Sequence, residues 1–217
     1  MNEPDMERRA VLDVYVAAIP EQPETGTVFP PERQREIDGV RNETLRRERY
    51  CVWKLLEQAL DHSFGLDMRD LKFEKKSDGK WVCDRVFFSQ SHSTDAVAVA
   101  VSDGPVGVDL EGAEEFFERF SDPARLARME KRVCNDAELS AINGAEGFLT
   151  LWTKKEALFK CYGKGGFDPR EIDTYARPSL TRMAALPARY SLSVCGEHLA
   201  RARFFLADAE GVRPMDD

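Results

Sequence analysis

Residues 95–111, with the sequence DAVAVAVSDGPVGVDLE, decide most of what the sequence says about the fold. The uninterrupted apolar run at 96–101 predicts a strand that is buried on both faces, near the centre of the protein. The turn-forming letters SDGP follow at 102–105, and a second apolar run begins at Val106. Two apolar runs joined by such a turn predict an antiparallel β-hairpin.

The second of these strands ends in two acids, Asp109 and Glu111. Residues two apart on a strand share one face, with Cα atoms roughly 6.5–7 Å apart. Two carboxylates this close repel each other unless a cation lies between them. Either the strand runs out into solvent at this point, or the acids bind a metal ion.

The composition is that of an ordinary globular protein. The chain has 217 residues, 42% of them hydrophobic and 32% charged, which suits one large domain or two of about 100 residues each. We expect no membrane association, because no apolar run approaches the roughly 20 residues of a membrane helix. The first ten residues also lack the apolar segment of a secretory signal.

Charge and cysteine usage narrow the class of protein further. The net charge of −8 argues against general nucleic-acid binding. The five cysteines are odd in number and scattered, with no C-x-x-C pair. This pattern argues against a disulfide framework and a zinc site, and it favours the reducing cytoplasm.

The remaining patterns give an order of strands and helices. Strands are predicted at 10–19, 85–93, 189–196 and 200–208, and helices at 42–60, at 121–144 with a break near 134–136, and at 147–162. Asn42 is a plausible N-cap of the first helix, Asp136 of the helix after the break, and Gly144 ends that short helix. The order predicts an α+β fold. We expect two similar pseudo-symmetric halves, 1–103 and 104–217, each a small antiparallel sheet packed with one long helix.

The helix at 147–162 carries charged residues in an unusual place. Lys155 falls within its apolar stripe, while Glu156 and Lys160 are four apart on one edge of the stripe. Taken alone, Glu156 and Lys160 are a surface ion pair worth a few tenths of a kcal/mol, and Lys155 extends its amine to solvent. Together with Asp109 and Glu111, however, Glu156 completes an all-oxygen acidic site that suits Mg²⁺. Lysines beside such a site indicate phosphate chemistry.

Three segments, in this order, resemble the signature of the 4′-phosphopantetheinyl transferases: SQSHS at 89–93, VGVDLE at 106–111 and WTKKEALFK at 152–160. Members of this family move the phosphopantetheine arm of coenzyme A to a serine of an apo acyl or peptidyl carrier protein and release 3′,5′-ADP. The chain length resembles the larger, surfactin-synthetase-associated type, which is a monomer of two pseudo-symmetric halves. The resemblance implies a Mg²⁺-dependent enzyme with coenzyme A as substrate.

The resemblance also implies roles for individual residues of the second half. Asp109, Glu111 and Glu156 would bind Mg²⁺, and Glu156 would also be the general base on the carrier serine. Lys160 would stabilise the transferring phosphate and the leaving group. Glu138 lies where the family often has a further glutamate near the metal or the base. The half 104–217 would therefore hold the metal and the catalytic carboxylates.

The half 1–103 would bind the 3′-phosphate and adenine side of coenzyme A. The resemblance assigns coenzyme A contacts to five residues: Arg49, Lys80, Ser91, His92 and Lys155. Ser91 and His92 would bind the 3′-phosphate, and Lys155 the other phosphates. Arg46 is the alternative to Arg49, and Lys80 lies in GKW where the family has G-K-P.

Other functions are compatible with parts of this pattern. One alternative is a Mg²⁺-dependent hydrolase of a coenzyme A or nucleotide diphosphate, and another is an inactive homologue that only binds carrier proteins. A Ser91–His92 nucleophile is disfavoured, because no G-x-S-x-G motif surrounds Ser91. Carrier proteins of this family are typically acidic, so docking on this acidic chain is expected to use a local basic or apolar patch.

Overall fold

The computed structural model describes residues 10–22, 26–27, 29–77, 79–93, 95–186 and 188–215. Its strands are β1 (Leu12–Ala18), β2 (Phe73–Lys75), β3 (Trp81–Cys83), β4 (Phe87–Ser93), β5 (Ala96–Ser102), β6 (Val106–Gly112), β7 (Leu180–Ala185), β8 (Arg189–Gly196), β9 (Arg203–Asp208) and β10 (Gly211–Pro214). Its α-helices are α1 (Pro31–Asp38), α2 (Glu43–Phe64), α3 (Ala113–Arg119), α4 (Pro123–Val133), α5 (Asp136–Ala141) and α6 (Gly144–Tyr162). The mixed α+β class predicted from the sequence is confirmed.

Strand β5 lies inside the larger sheet, whose order is β10-β9-β1-β5-β4. All seven residues of β5 are buried, as its continuous apolarity predicts. It pairs antiparallel with β1 on one side and with β4 on the other. The helix α2 packs against this sheet through the apolar face that contains Trp53, Leu56 and Leu60.

The predicted hairpin is wrong, although both of its strands exist. Strand β6 belongs to a second sheet of order β6-β8-β7 and pairs with β8. Both hydrogen-bonding edges of β5 are taken by β1 and β4, so β6 has no edge of β5 to pair with. The turn after β5 therefore carries the chain from one sheet to the other.

The two longest helices pack on different sheets, α2 on the first and α6 on the second. The Asn42 side chain accepts a hydrogen bond from the Leu45 amide at 2.9 Å, which confirms the predicted N-cap of α2. The break between α4 and α5 is also confirmed, but Asn135 rather than Asp136 caps α5. Gly144 begins α6 instead of ending α5. Strand β9 returns to the first sheet and runs parallel to β1.

Hydroxyl groups join the two sheets where their edge strands β4 and β6 meet. Ser89 Oγ accepts a hydrogen bond from the Val108 amide at 3.0 Å, and Ser93 Oγ accepts one from the Gly112 amide at 2.9 Å. These bonds satisfy buried main-chain donors that a neighbouring strand would otherwise satisfy. We call this line of contacts the serine seam. Between these two serines, Ser91 faces the side chain of Asp109.

The helix α6 lies unusually close to β6, and Gly107 permits this approach. A Cβ atom at Gly107 would lie 2.0 Å from the Ala157 carbonyl oxygen and 2.6 Å from the Cys161 nitrogen. Residues 107, 109 and 111 share one face of β6, so the acids lie beneath the same helix. Within the described ranges, no helix combines the length and apolarity needed to cross a membrane.

Candidate active site

Asp109, Lys160 and Ser91 form a closed triangle of hydrogen bonds at the serine seam. The Lys160 ammonium donates to Asp109 Oδ1 at 2.7 Å and to Ser91 Oγ at 3.0 Å. The Ser91 hydroxyl in turn donates to the same Asp109 oxygen at 2.8 Å. Asp109 is only 5% exposed, and its Oδ2 is buried without a hydrogen-bond partner among the described residues. This oxygen can accept a donor or bind a cation.

Glu111 and Glu156 place further negative charge beside Asp109. Burial raises the pKa of Glu111 to about 7, and the charges of Asp109 and Glu156 add to the increase. Burial also raises the pKa of Glu156, again with a contribution from Asp109. The three acids predicted to meet are therefore close enough to affect one another electrostatically. Clustered carboxylates of this kind are stabilised by a cation.

The donor set is compatible with Mg²⁺, but the side chains are not arranged as a ready metal cage. In the part of the chain that the structure describes, no three Asp, Glu, His or Cys side chains are positioned to hold a metal ion. Lys160 supplies the positive charge next to Asp109 instead. The unpartnered Asp109 oxygen and the oxygen-only chemistry fit a hard cation, so the magnesium site remains a prediction.

Lys155 is not at this site, which corrects its predicted contact with the phosphates of coenzyme A. Its side chain is completely buried and lies 2.7 Å from Glu138 Oε2. The ammonium also donates to the carbonyl oxygens of Pro169, at 2.8 Å, and Ile172. An ammonium has three donors, and all three are used. The apolar stripe tolerates this charge because Lys155 is paired inside the protein.

The predicted place of Glu138 near the metal or the base is corrected in the same way. Glu138 is fully buried, and with Asn135 it forms the capping box of α5. Its Oε1 accepts hydrogen bonds from the Thr174 amide and hydroxyl at 3.0 and 2.9 Å. Burial alone would raise the pKa of Glu138, but the bonds from Lys155, Thr174 and Asn135 lower it. Glu138 is thus an ionised anchor of the segment after α6.

Ser91 and His92 lie on opposite sides of β4, and their common contact with the 3′-phosphate stays a prediction. Ser91 is buried against Asp109, whereas 45% of the His92 side chain is exposed, with Nδ1 3.3 Å from Glu48 Oε2. Neighbouring residues of a strand alternate between faces, so the two side chains have different surroundings in this structure. Ser91 therefore belongs to the carboxylate side of the site.

His92 lies within a group of cations. Burial lowers the pKa of His92, Glu48 opposes this change, and the charges of Lys160, Arg49 and Arg33 lower it further. These charges place Arg49 near His92, whereas the alternative, Arg46, pairs with Glu43. Arg49 and Lys160 are therefore close enough to His92 to affect its pKa, while Glu48 lies beside His92 and Asp109 beside Lys160.

Lys80 connects this region to the end of α6. Its ammonium donates to the carbonyl oxygen of Lys160, and both lysines line one pocket with Trp81, Phe88 and Phe159. The bond brings together two predicted residues that are far apart in the sequence. The pocket has aromatic and cationic walls, as a phosphate-bearing ligand with an apolar portion requires.

Two contacts of the site were not predicted from the sequence. The Trp152 indole donates to Glu111 Oε1 at 3.2 Å, although its place in the apolar stripe indicated packing only. Arg33 is buried, donates to the Arg49 carbonyl at 2.9 Å and lies over the Trp53 ring. The proline-rich segment before α1 gave no periodic signal for Arg33. For Trp152, the indole N–H could have indicated a hydrogen-bond partner, because a buried tryptophan usually has one.

Comparisons with known proteins find relatives of one family. Residues 105–205 match the 4′-phosphopantetheinyl transferase superfamily. The chain is 28% identical over 171 residues to 4′-phosphopantetheinyl transferase psf-1 of Bacillus pumilus, covering 68% of this chain and 70% of that protein. It is 25% identical over 166 residues to a Bacillus subtilis 4′-phosphopantetheinyl transferase, covering 66% and 71%. It is 29% identical over 120 residues to 4′-phosphopantetheinyl transferase gsp of Aneurinibacillus migulanus, covering 53% of this chain and 48% of that protein.

The fold and the site define an α+β protein in which acids and a lysine converge where two sheets meet. The match covers β6, α6 and β8, the elements that hold Asp109, Glu111, Glu156 and Lys160. Over residues 105–205, and in its similarity to the two Bacillus enzymes, the chain resembles the 4′-phosphopantetheinyl transferase superfamily.

Proposed function

We propose that this protein transfers the 4′-phosphopantetheine group of coenzyme A to a serine of an apo acyl or peptidyl carrier protein, with Mg²⁺, and releases 3′,5′-ADP. The observation that carries the proposal is the buried Asp109 carboxylate. One of its oxygens binds Lys160, and the other has no hydrogen-bond partner among the described residues. The names of the relatives add the reaction class.

Asp109, Glu111 and Glu156 are the residues that would hold Mg²⁺. When bound, the ion would neutralise phosphate oxygens of the coenzyme A diphosphate. The support for this ligand set is its all-oxygen chemistry and the mutual electrostatic effect of the three acids.

Lys160 and Glu156 would act on the reacting groups. The Lys160 ammonium would donate to the transferring phosphate as negative charge develops on it. Glu156, one helical turn earlier on α6, would accept the proton of the carrier serine hydroxyl. Ser91 and Asp109 would hold the Lys160 ammonium in place, since both bind it directly.

Arg49, Lys80 and His92 would bind the coenzyme A side. A diphosphate together with a 3′-phosphate carries about four negative charges, so several cations are needed on a chain whose net charge is −8. The position of His92 among Lys160, Arg49 and Arg33 supports this assignment. The aromatic residues of the pocket, Trp81, Phe88 and Phe159, would face the pantetheine or the adenine.

The two parts of the chain would divide this work. Residues 1–103 would bind the 3′-phosphate and adenine side, and residues 104–217 would hold the metal and the catalytic carboxylates. Each part contains one long helix packed on a sheet. The predicted pair of separate antiparallel sheets is wrong, because β9 and β10 of the second part join the first sheet, where β9 runs parallel to β1. We further propose that the enzyme acts as a cytoplasmic monomer.

The test is incubation with coenzyme A, Mg²⁺ and an apo carrier protein, followed by intact-mass measurement of the carrier. We expect a mass gain of one phosphopantetheine group, abolished by EDTA and by Glu156→Gln. Glu146→Gln, an acid in the first turn of the same helix, is the matched control and should leave the gain intact. Release of phosphopantetheine to water without a gain on any of several carriers would instead establish the hydrolase.

A further inference from the structure

A pair of cysteine thiols lies beneath the last turn of α6. Cys161, one residue after Lys160, lies near Cys195 of β8, and each thiol affects the pKa of the other. The Cys195 sulfur also lies 3.2 Å from the carbonyl oxygen of Ala157, one helical turn before Cys161. All five cysteines are reduced in the structure. These contacts bring Cys161 and Cys195 together from different elements.

The close approach of α6 to β6 creates this contact. Gly107 lies directly across the β6–β8 ladder from Cys195, and a Cβ atom on Gly107 would lie 2.9 Å from the Cys161 Cβ. Paired residues of antiparallel strands have Cα atoms about 4.5–5.5 Å apart. The helix thus places Cys161 over the pair formed by Gly107 and Cys195. A disulfide between Cys161 and Cys195 would require Cα atoms about 4.4–6.8 Å apart.

The two thiols differ in access. Cys195 is fully buried, whereas Cys161 is partly exposed and lines a cavity with Lys80, Trp81 and Phe87. The neighbouring Cys195 and the positive charges of Lys80 and Arg177 lower the pKa of the Cys161 thiol. Positive charge favours the reactive thiolate. A small reagent in the cavity therefore reaches Cys161 first, with Cys195 directly behind it.

We propose that Cys161 and Cys195 are an oxidisable pair, a modification site for hydroperoxides at which Cys161 is oxidised first and Cys195 closes the disulfide. The Cys161 thiolate attacks a peroxide oxygen and breaks the O–O bond, giving a sulfenic acid and hydroxide, which takes up a proton. The Cys195 sulfur then attacks the Cys161 sulfur, loses its proton, and expels hydroxide as water. The two thiols lose two electrons in total, and hydrogen peroxide is reduced to two molecules of water.

The chain offers a matched control thiol, Cys83. It is also partly exposed and lines the same cavity, but its sulfur lies 3.6 Å from the Asp84 carboxylate. Burial raises the pKa of Cys83, and Asp84 contributes to the increase. Cys83 and Cys161 share access to the cavity and differ in their surroundings. Cys83 therefore tests whether oxidation depends on the neighbouring thiol or on exposure alone.

The experiment treats the reduced, full-length protein with hydrogen peroxide, alkylates remaining thiols under denaturing conditions, and measures intact and peptide masses. We expect the loss of two hydrogens, two fewer alkylated thiols and a peptide that links Cys161 to Cys195. Cys83→Ser should leave these results unchanged. Cys161→Ser should abolish the link, and Cys195→Ala should stop at a Cys161 sulfenic acid that dimedone traps.

Faster oxidation of Cys83 than of Cys161, or a link to another cysteine, would overturn the proposal, as would complete alkylation of all five thiols after treatment. If Cys195→Ala fails to fold, the wild-type and Cys83→Ser peptide maps still decide the question. The mass readout needs neither coenzyme A nor a carrier protein. Its result therefore stands apart from the proposed transferase activity.

Discussion

Lys155 and Lys160 lie on the same helix, five residues apart, yet their surroundings differ completely. The Lys155 ammonium is fully buried and uses its donors on Glu138 and two carbonyl oxygens. The Lys160 side chain is 27% exposed and bonds to Asp109, whose second oxygen is unpartnered in the described structure. A buried lysine whose three donors are all used has no donor left for a ligand. The comparison therefore separates a structural cation from one that can reach a substrate.

The partners of the two lysines explain this division. Glu138, Pro169 and Ile172 fasten α5 and the segment after α6 to the body of that helix. Lys160 instead bonds across the serine seam, where β4 of one sheet meets β6 of the other. Because the bonds of Lys155 fix one side of α6, Lys160 on its other side is held in a defined position. A substitution of Lys155 should therefore change mainly the free energy of unfolding, and a substitution of Lys160 mainly the rate of transfer.

The largest expected effect is on stability, in Lys155→Met. Removing one partner of a buried ion pair leaves the other charge unpaired, which costs about 3–5 kcal/mol. We expect the free energy of unfolding in urea to fall by this amount. Lys154→Met, its half-buried neighbour, is the matched control and should change it little. The double variant Lys155→Met with Glu138→Leu should recover part of the loss, and no recovery would contradict the pairing.

Lys160→Met should lower the transfer rate strongly and the free energy of unfolding only slightly. Removing a group that stabilises developing charge lowers the rate by about 10²–10³-fold, and we expect this loss in phosphopantetheine transfer to a carrier protein. The free energy of unfolding should fall less than in Lys155→Met, because the Lys160 side chain is partly exposed and Ser91 still donates to Asp109. A loss of stability as large as that of Lys155→Met would erase the distinction between the two lysines.

The acid of the buried pair adds a pH dependence. In the folded protein the pKa of Glu138 is lowered, so its contribution to stability is complete above the unfolded value of about 4.3. The contribution is lost as the pH falls through the lowered, folded pKa. We expect the difference in unfolding free energy between wild type and Glu138→Gln to be largest near neutral pH and to shrink in acid. The measurement is urea unfolding of both proteins between about pH 7 and pH 3, and a difference that grows in acid would contradict it.

The sequence predicted the site better than it predicted the topology. Asp109, Glu156 and Lys160 could be brought together because their spacing matches a known pair of motifs. The partner of β6 could not be predicted, since alternation along a strand identifies its buried face but not the strand it pairs with. Lys155 was misassigned because two of its partners are main-chain carbonyls, which every residue carries. The capping role of Glu138 could have been predicted, because N-D-A-E at 135–138 is the pattern of a capping box.

The smallest expected effects distinguish two serines of β4 in the same way as the two lysines. Ser93→Ala leaves the buried Gly112 amide without its acceptor, so we expect about 1 kcal/mol less unfolding free energy and an unchanged transfer rate. Ser91→Ala removes a bond to both Asp109 and Lys160, and we expect about a tenfold slower transfer, equivalent to about 1.4 kcal/mol. Urea unfolding and carrier mass gain, measured on both variants, decide between these outcomes. Equal changes in both readouts would show that the serine seam acts on the site only through stability.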